Sequence, residues 1–230
     1  MKKLLSAVLL CFVVNSYCMG KIEKQDVANL MRQLKNATNQ RNLRVISGVI
    51  EMLDNYGIKT DADLEKYIEA SDFNTLHDAL SFVVLKDYEN EKDFKNGEKI
   101  ANDLVRLGAK IEQETRNRET FLHELVQKDE PLALEMLKVV IKIAQKDLLK
   151  DDFENFINAK DAHDQTALDY AEKCITRQNK TMDKNLCNAI SRELQKAGAK
   201  TSIIQKPTIL ETSLNALANK IHVLGNTLVR

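Results

Sequence analysis

The sequence predicts an all-α fold, a solenoid of stacked helix pairs joined by short turns. Three observations point there. Apolar residues recur at spacings of three and four along most of the chain, the period of a helix with one buried face. Only 7 of the 230 residues are glycine and 2 are proline, tryptophan is absent and 30% are charged, a composition that suits helices and argues against a β-sandwich. A phrase also repeats. Ile157–Ala171 (INAKDAHDQTALDYA) matches Ile111–Leu125 (IEQETRNRETFLHEL), each with an isoleucine nine residues ahead of a threonine, and Leu76, His77 and Ala79 fall at the same offsets another 46 residues back. A single helix pair of this length cannot bury its apolar stripe, so phased copies imply stacking against neighbours.

Residues 1–20 differ in kind from the rest. Lys2 and Lys3 precede an apolar run from Leu4 to Val14 broken only by Ser6, and Ser16, Cys18 and Gly20 follow: the layout of a secretory signal peptide. The run is shorter than the roughly 20 residues a bilayer span requires. Asn15-Ser16-Tyr17 is a poor match to the small and aliphatic residues that precede a lipidated cysteine. Removing this segment leaves a slightly acidic mature chain whose cysteines are Cys174 and Cys187, and an exported protein can join such a pair.

Residues 21–72 read as an N-terminal helical capping region. One helix spans 21–36 through Val27, Leu30, Met31 and Leu34 and is broken by the polar stretch Asn36–Asn42. A second runs through Val45, Ile46, Val49, Ile50 and Leu53 and stops at Asn55-Tyr56-Gly57. Thr60 to Asp63 then forms a capping box that opens a short helix through Leu64, Tyr67 and Ile68.

Residues 73–206 hold three repeating units. The first has an inner helix through Leu76, Ala79, Leu80 and Val83, a charged insertion Lys86–Lys99, and an outer helix through Ile100, Leu104 and Leu107 closed by Gly108-Ala109. The second starts at Thr120 with Leu122, Leu125 and Val126. Its outer helix carries Pro131 in the first turn and continues through Leu134, Leu137, Ile141, Ala144 and Leu148, followed by the segment Asp151–Phe156. The third starts at Thr166 with Leu168, Ala171 and Ile175, crosses a polar insertion Thr176–Lys184, and ends with Leu186, Ile190, Leu194 and Gly198-Ala199. The tail, 207–230, opens on Pro207 and a capping box Thr208–Glu211. It carries Leu210, Leu214, Leu217, Ile221, Leu224 and Leu228 at spacings of three and four, either a C-terminal capping helix or a short zipper between two chains.

The units resemble ankyrin repeats. The family phrase T-P-L-H-x-A stands here as Asn74-Thr75-Leu76-His77-Asp78-Ala79, Thr120-Phe121-Leu122-His123-Glu124-Leu125 and Thr166-Ala167-Leu168-Asp169-Tyr170-Ala171. The Leu-x-x-Gly-Ala ending is matched at Leu107-Gly108-Ala109 and in part at Ala197-Gly198-Ala199, and the turn at Ile157-Asn158-Ala159-Lys160-Asp161. The chain departs from the pattern in lacking the proline, in lacking Gly-Ala at the end of the second unit, and in a period of 46 where the family has about 33. Another α-solenoid of stacked helix pairs is the alternative. The resemblance implies a concave surface of turn tips and inner helices that grips protein partners. By position its tip candidates are Glu114, Arg116, Asn117 and Arg118 in one turn and Lys160, His163, Asp164 and Gln165 in the next. The insertion Lys86–Lys99 is a second candidate surface.

Chemistry is harder to find. His77 and His123 occupy the repeat's histidine slot, where the side chain bonds near the helix start, His163 lies in a turn, and His222 lies in the tail. His123-Glu124 begins like a zinc-protease helix, but Gln127 stands where the second histidine is required. The sequence contains no nucleophile elbow, phosphate-cradling glycine loop or paired-cysteine zinc motif. The expectation is a non-enzymatic protein–protein interaction module, exported to the periplasm or beyond, with no catalytic, metal or cofactor residues. Its partner is an unidentified protein. The balanced charge argues against nucleic acid, and no membrane association is expected after signal removal. It is read as a monomer, or a homodimer through the tail; the alternative function is a self-associating structural protein of the envelope. Cys174 and Cys187 flank the third unit's insertion, and antiparallel packing would let a disulfide close that loop, contributing about 3 kcal/mol on the entropic model.

Overall fold

The structure, a computed structural model, describes residues 22–69, 72–115, 117–176 and 183–202. The expected signal peptide, most of the insertion after Thr176, the leucine-rich tail with its two readings, His222 and the tip candidate Arg116 lie outside the described residues. Within them the fold is all-α, with no strand and ten helices: α1 (Lys24–Asn39), α2 (Leu43–Asn55), α3 (Asp61–Leu64), α4 (Phe73–Leu85), α5 (Glu91–Arg106), α6 (Phe121–Val126), α7 (Pro131–Asp147), α8 (Lys150–Ile157), α9 (Ala167–Thr176) and α10 (Lys184–Lys196). They divide into two compact units. One holds the chain to Gln113 together with Glu135–Asp147, the other Glu114–Leu134 and the chain from Leu148.

In the first unit α1 packs on α2 and α4, and α5 packs on α4 and α2. The residues that carry this packing are the stripes legible in the sequence: Val27, Leu30, Met31 and Leu34 on α1, Ile46, Val49, Ile50 and Leu53 on α2, and Leu76, Ala79, Leu80 and Val83 on α4 are all buried. Helix α1 does not break at Asn36. Ala37 is buried and the Thr38 hydroxyl donates to the Leu34 carbonyl at 2.9 Å, so the polar residues beyond Asn36 extend the solvent face of a continuing helix. The break comes at Arg41, whose φ of 51° is left-handed, and the Asn42 side chain caps α2 by accepting from Val45 N–H at 3.3 Å. Thr60 caps α3 as expected, its hydroxyl accepting from Asp63 N–H at 3.2 Å, but the helix is a single turn.

The charged insertion Lys86–Lys99 is largely helix rather than loop. Asn90 caps α5 by accepting from Asp93 N–H at 2.9 Å, so residues 91–99 are the first turns of α5. Tyr88 and Phe94 explain why. Both are buried, their rings meet edge to face with centroids 5.7 Å apart, and the Tyr88 hydroxyl donates to the Val83 carbonyl at 2.6 Å. The ring lies over Gly97, where a Cβ would collide with it. At the other end of α5, the Arg106 guanidinium donates to Asp54 at 2.9 Å, to Asp103 at 3.2 Å and to the Lys59 carbonyl. Helix α7 buries more than the one stripe read from sequence: Ala133, Met136, Leu137, Val139, Val140, Ile141, Ile143 and Ala144 are all buried, as on a helix apolar around most of its circumference.

In the second unit α9 packs on α10 and α6. The stretch Asp151–Phe156 belongs to a separate helix, α8, and Leu148 lies beyond the end of α7 instead of extending it. Asp151 and Asp152 sit in the first turn of α8, where the helix dipole favours negative charge, and Phe156 and Ile157 form its buried edge. Gly57, Gly108 and Gly198 all take left-handed φ, 81°, 102° and 95°, at the helix ends where the sequence places stops. Cys174, in the last turn of α9, and Cys187, in the first turn of α10, lie at disulfide distance with Cα atoms 6.0 Å apart.

Candidate functional site

The two turns of the second unit that hold the tip candidates are built alike. In one, Thr115 N–H donates to the Glu119 carbonyl at 2.9 Å, Arg118 N–H donates to the Thr115 carbonyl at 2.9 Å, and the Thr115 hydroxyl accepts from Asn117 N–H and Glu119 N–H at 3.3 Å each. In the other, Asp161 N–H donates to Gln165 at 3.0 Å and Asp164 N–H to Asp161 at 3.1 Å. The Asp161 carboxylate accepts from His163 N–H at 2.8 Å and Gln165 N–H at 2.9 Å. Thr115 and Asp161 stand at matching places, five residues before the capping threonine. Arg118 and Asp164, two residues before it, share a left-handed φ of 59° and 57°. A short polar side chain that pins its own turn is the shared device.

The turns are also joined to each other and to the helices behind them. Ala162 N–H donates to the Asn117 carbonyl at 2.9 Å. His123, 1% exposed, accepts from Thr120 N–H through Nδ1 at 3.1 Å, with the Thr120 hydroxyl 3.0 Å from the same nitrogen. That bond places the ring proton on Nε2, which donates to the Gln165 carbonyl at 3.0 Å. His77, in the same slot of the first unit, carries its proton on the other nitrogen: Nδ1 donates to the Lys110 carbonyl at 3.0 Å. Burial pulls its pKa down against that bond and the charges of Asp78 and Glu112. In the third copy Asp169 replaces histidine. It accepts from Thr166 N–H at 2.8 Å and from Ser202 N–H at 3.1 Å, and the Ser202 hydroxyl also donates to it. In the second and third copies one side chain thus both starts the helix and holds the turn that follows, whereas in the first, where the helix already begins at Phe73, His77 reaches the turn alone.

Asp161 is the most heavily bonded group at the tips. It is 1% exposed, and besides its two backbone donors it accepts the Tyr170 hydroxyl at 2.6 Å. Burial acts to raise the carboxyl, but Tyr170, Gln165 and His163 together hold it below the usual carboxylate range. The Asp161 bond, with burial second, pushes the Tyr170 hydroxyl up to about 12. Asp169 is also lowered: burial opposes, and the donors from Ser202 and Thr166 prevail.

Of the candidates drawn from sequence, Glu114, Asn117, Arg118, Lys160, His163 and Asp164 are exposed. Gln165 is half-buried and committed to the turn: its backbone bonds Asp161 and His123, and its side-chain oxygen accepts from Lys173. Beside the first tip an open groove of about 550 Å³ is lined by Thr115, Asn117, Glu119, Glu124 and Gln127. Burial, and then the charge of Glu119, raises the Glu124 carboxyl. Thr115, Glu119, Glu124 and Gln127 were not among the sequence candidates; their signal is that they lie in or beside the turn and the short helix α6 that follows it. Among the described residues no three of His, Cys, Asp and Glu gather as metal ligands, and no helix is long and apolar enough to cross a membrane.

No protein-family profile, curated protein or solved structure matches this chain.

Proposed function

We propose that the chain is a non-enzymatic interaction module, an ankyrin-like solenoid that grips a protein partner with the turn tips at 114–118 and 160–164 and the groove beside the first. The observation that carries this reading is the construction of the two turns. They share one hydrogen-bond pattern, are bonded to each other through Ala162 and Asn117, and are anchored to the helices by His123 and Asp161, while the side chains at their crests reach solvent. Rigid display of polar groups reduces the ordering cost of binding. The packing of α1 on α4, of α2 on α5 and of α6 on α9 supports the solenoid. The cysteine pair at disulfide distance is compatible with an oxidising compartment and so with export.

Capture tests the proposal. The protein is immobilised, exposed to extract from the compartment to which it is exported, and compared with a variant in which Arg116 and Arg118 are both changed to Glu. Specific capture of a protein that the variant loses, at unchanged thermal stability, supports the tip surface. Equal capture by both forms would reject it and direct attention to other surfaces.

A further inference from the structure

Cys174 and Cys187 differ in access. Cys187 is 1% exposed, whereas Cys174 is half-buried. Attack on a disulfide requires an incoming thiolate to reach one sulfur, so access selects which sulfur reacts. For reduction, helix position works in the same direction, favouring Cys187 as the sulfur that departs. Cys187 sits in the first turn of α10, at the positive end of its dipole, and Cys174 in the last turn of α9, at the negative end. Burial disfavours charge on Cys187, but its helix position offsets part of that cost; Cys174 has no such offset.

We infer that Cys174 is the exchange sulfur of this pair, the atom at which thiol–disulfide reagents make and remove the bond, with Cys187 as the sulfur that closes it or departs. The inference rests on the pair being a disulfide in the exported protein. In the oxidising direction the Cys174 thiolate attacks a reagent disulfide, forming a mixed disulfide and expelling one reagent thiolate. Cys187 then loses its proton to solvent and attacks Cys174 Sγ, expelling the second reagent thiolate. Two electrons pass from the cysteine pair to the reagent, whose disulfide becomes two thiols. In the reducing direction a thiolate bonds to Cys174 Sγ and the Cys187 thiolate leaves. A second thiolate then attacks the reagent sulfur of the mixed disulfide and frees Cys174.

The test uses the folded, unreduced mature protein expected after removal of residues 1–20, whose cysteines are Cys174 and Cys187. Brief treatment with reduced glutathione is quenched in acid, and peptide mapping locates the bound glutathione. The expected result is glutathione on Cys174 in at least about tenfold excess over Cys187. Equal amounts, or an excess on Cys187, overturn the inference. Single variants give a second reading from the oxidising side. Under native conditions glutathione disulfide should modify the Cys187→Ser protein at Cys174, while the Cys174→Ser protein reacts only after denaturant is added; similar native rates would reject the assignment. If alkylation of the unreduced protein labels both cysteines from the start, the disulfide itself fails and the exchange step with it. A formed disulfide with unselective attack fails the exchange step alone.

Discussion

The Nε2–H of His123 donates to the Gln165 carbonyl at 3.0 Å, so one buried ring starts α6 and holds the turn that opens α9. Removing it leaves the buried Thr120 N–H without its acceptor and takes one of two donors from the Gln165 carbonyl, which keeps the Asp161 N–H. His123→Ala should therefore lower the unfolding free energy by about 2–3 kcal/mol, the cost of a buried polar group left unpaired together with a lost cap. His77, half-buried and tied to the Lys110 carbonyl, should cost about 1 kcal/mol on the same substitution. Urea unfolding of the two variants measures both. Equal losses would show that the bridge between the turns contributes little.

Much of this arrangement was legible in the residues, and the exceptions have physical causes. The buried stripes, Thr60 and the capping threonines Thr120 and Thr166, and the stops at Gly57, Gly108 and Gly198 follow from period and cap chemistry, which are local. The insertion at Lys86–Lys99 reads as loop because its charges outnumber its apolar groups. Its helical state depends on Tyr88 reaching over Gly97 to Phe94, a packing event invisible to a charge count. The phrase aligns the two turns, but their common hydrogen-bond pattern was not legible because Thr115 and Asp161 do the same work with different side chains, and neither Arg118 nor Asp164 is the glycine that usually marks a left-handed residue. His77 and His123 match in sequence yet protonate opposite nitrogens, because the carbonyl each meets belongs to a distant part of the chain.

Asp161 gives the second unit an acid limit. Its carboxyl is held below its unfolded value near 3.9, so its contribution is present above that pH and is lost as pH falls through the lower folded value. Asp169 acts in the same sense. Tyr170 sets the opposite limit. Its folded value of about 12 exceeds the unfolded value of about 10, so its contribution is present below about pH 10 and is lost as pH rises toward 12. Asp161→Asn should be less stable than the parent at neutral pH and lose less stability between about pH 5 and pH 2. Urea midpoints across that range decide; parallel acid limbs would remove Asp161 as their source.

Two glycines inside helices of the first unit should respond in opposite directions. At Gly97 a Cβ meets the Tyr88 ring and hydroxyl, so Gly97→Ala should destabilise by about 1–3 kcal/mol, as overpacking does. At Gly48, within α2, nothing lies within 4 Å of the added Cβ, and Gly48→Ala should stabilise by about 0.5–1 kcal/mol through helix propensity alone. Thermal melts of the two proteins test the pair. A neutral Gly97→Ala would mean that the Tyr88 ring is not held over α5.

Arg118 and Asp164 allow stability and recognition to be separated. Each holds a left-handed φ that costs a side chain roughly 1 kcal/mol relative to glycine. Both are exposed, and neither side chain pins its own turn, since Thr115 and Asp161 do that. Replacing both by glycine relieves the strain at two positions, partly offset by the greater freedom of the unfolded chain, so the double variant should be as stable as the parent or more stable by up to about 1 kcal/mol. If the tips are the partner surface, the same protein should capture its partner less well. Non-glycine residues in left-handed conformation at matching places in two turns then reflect function maintained against local strain. Parallel melting and capture measurements on Arg118→Gly, Asp164→Gly and the double variant decide the point. A gain in stability with undiminished capture would place recognition elsewhere, whereas a marked loss of stability would mean that the two side chains hold the turns after all.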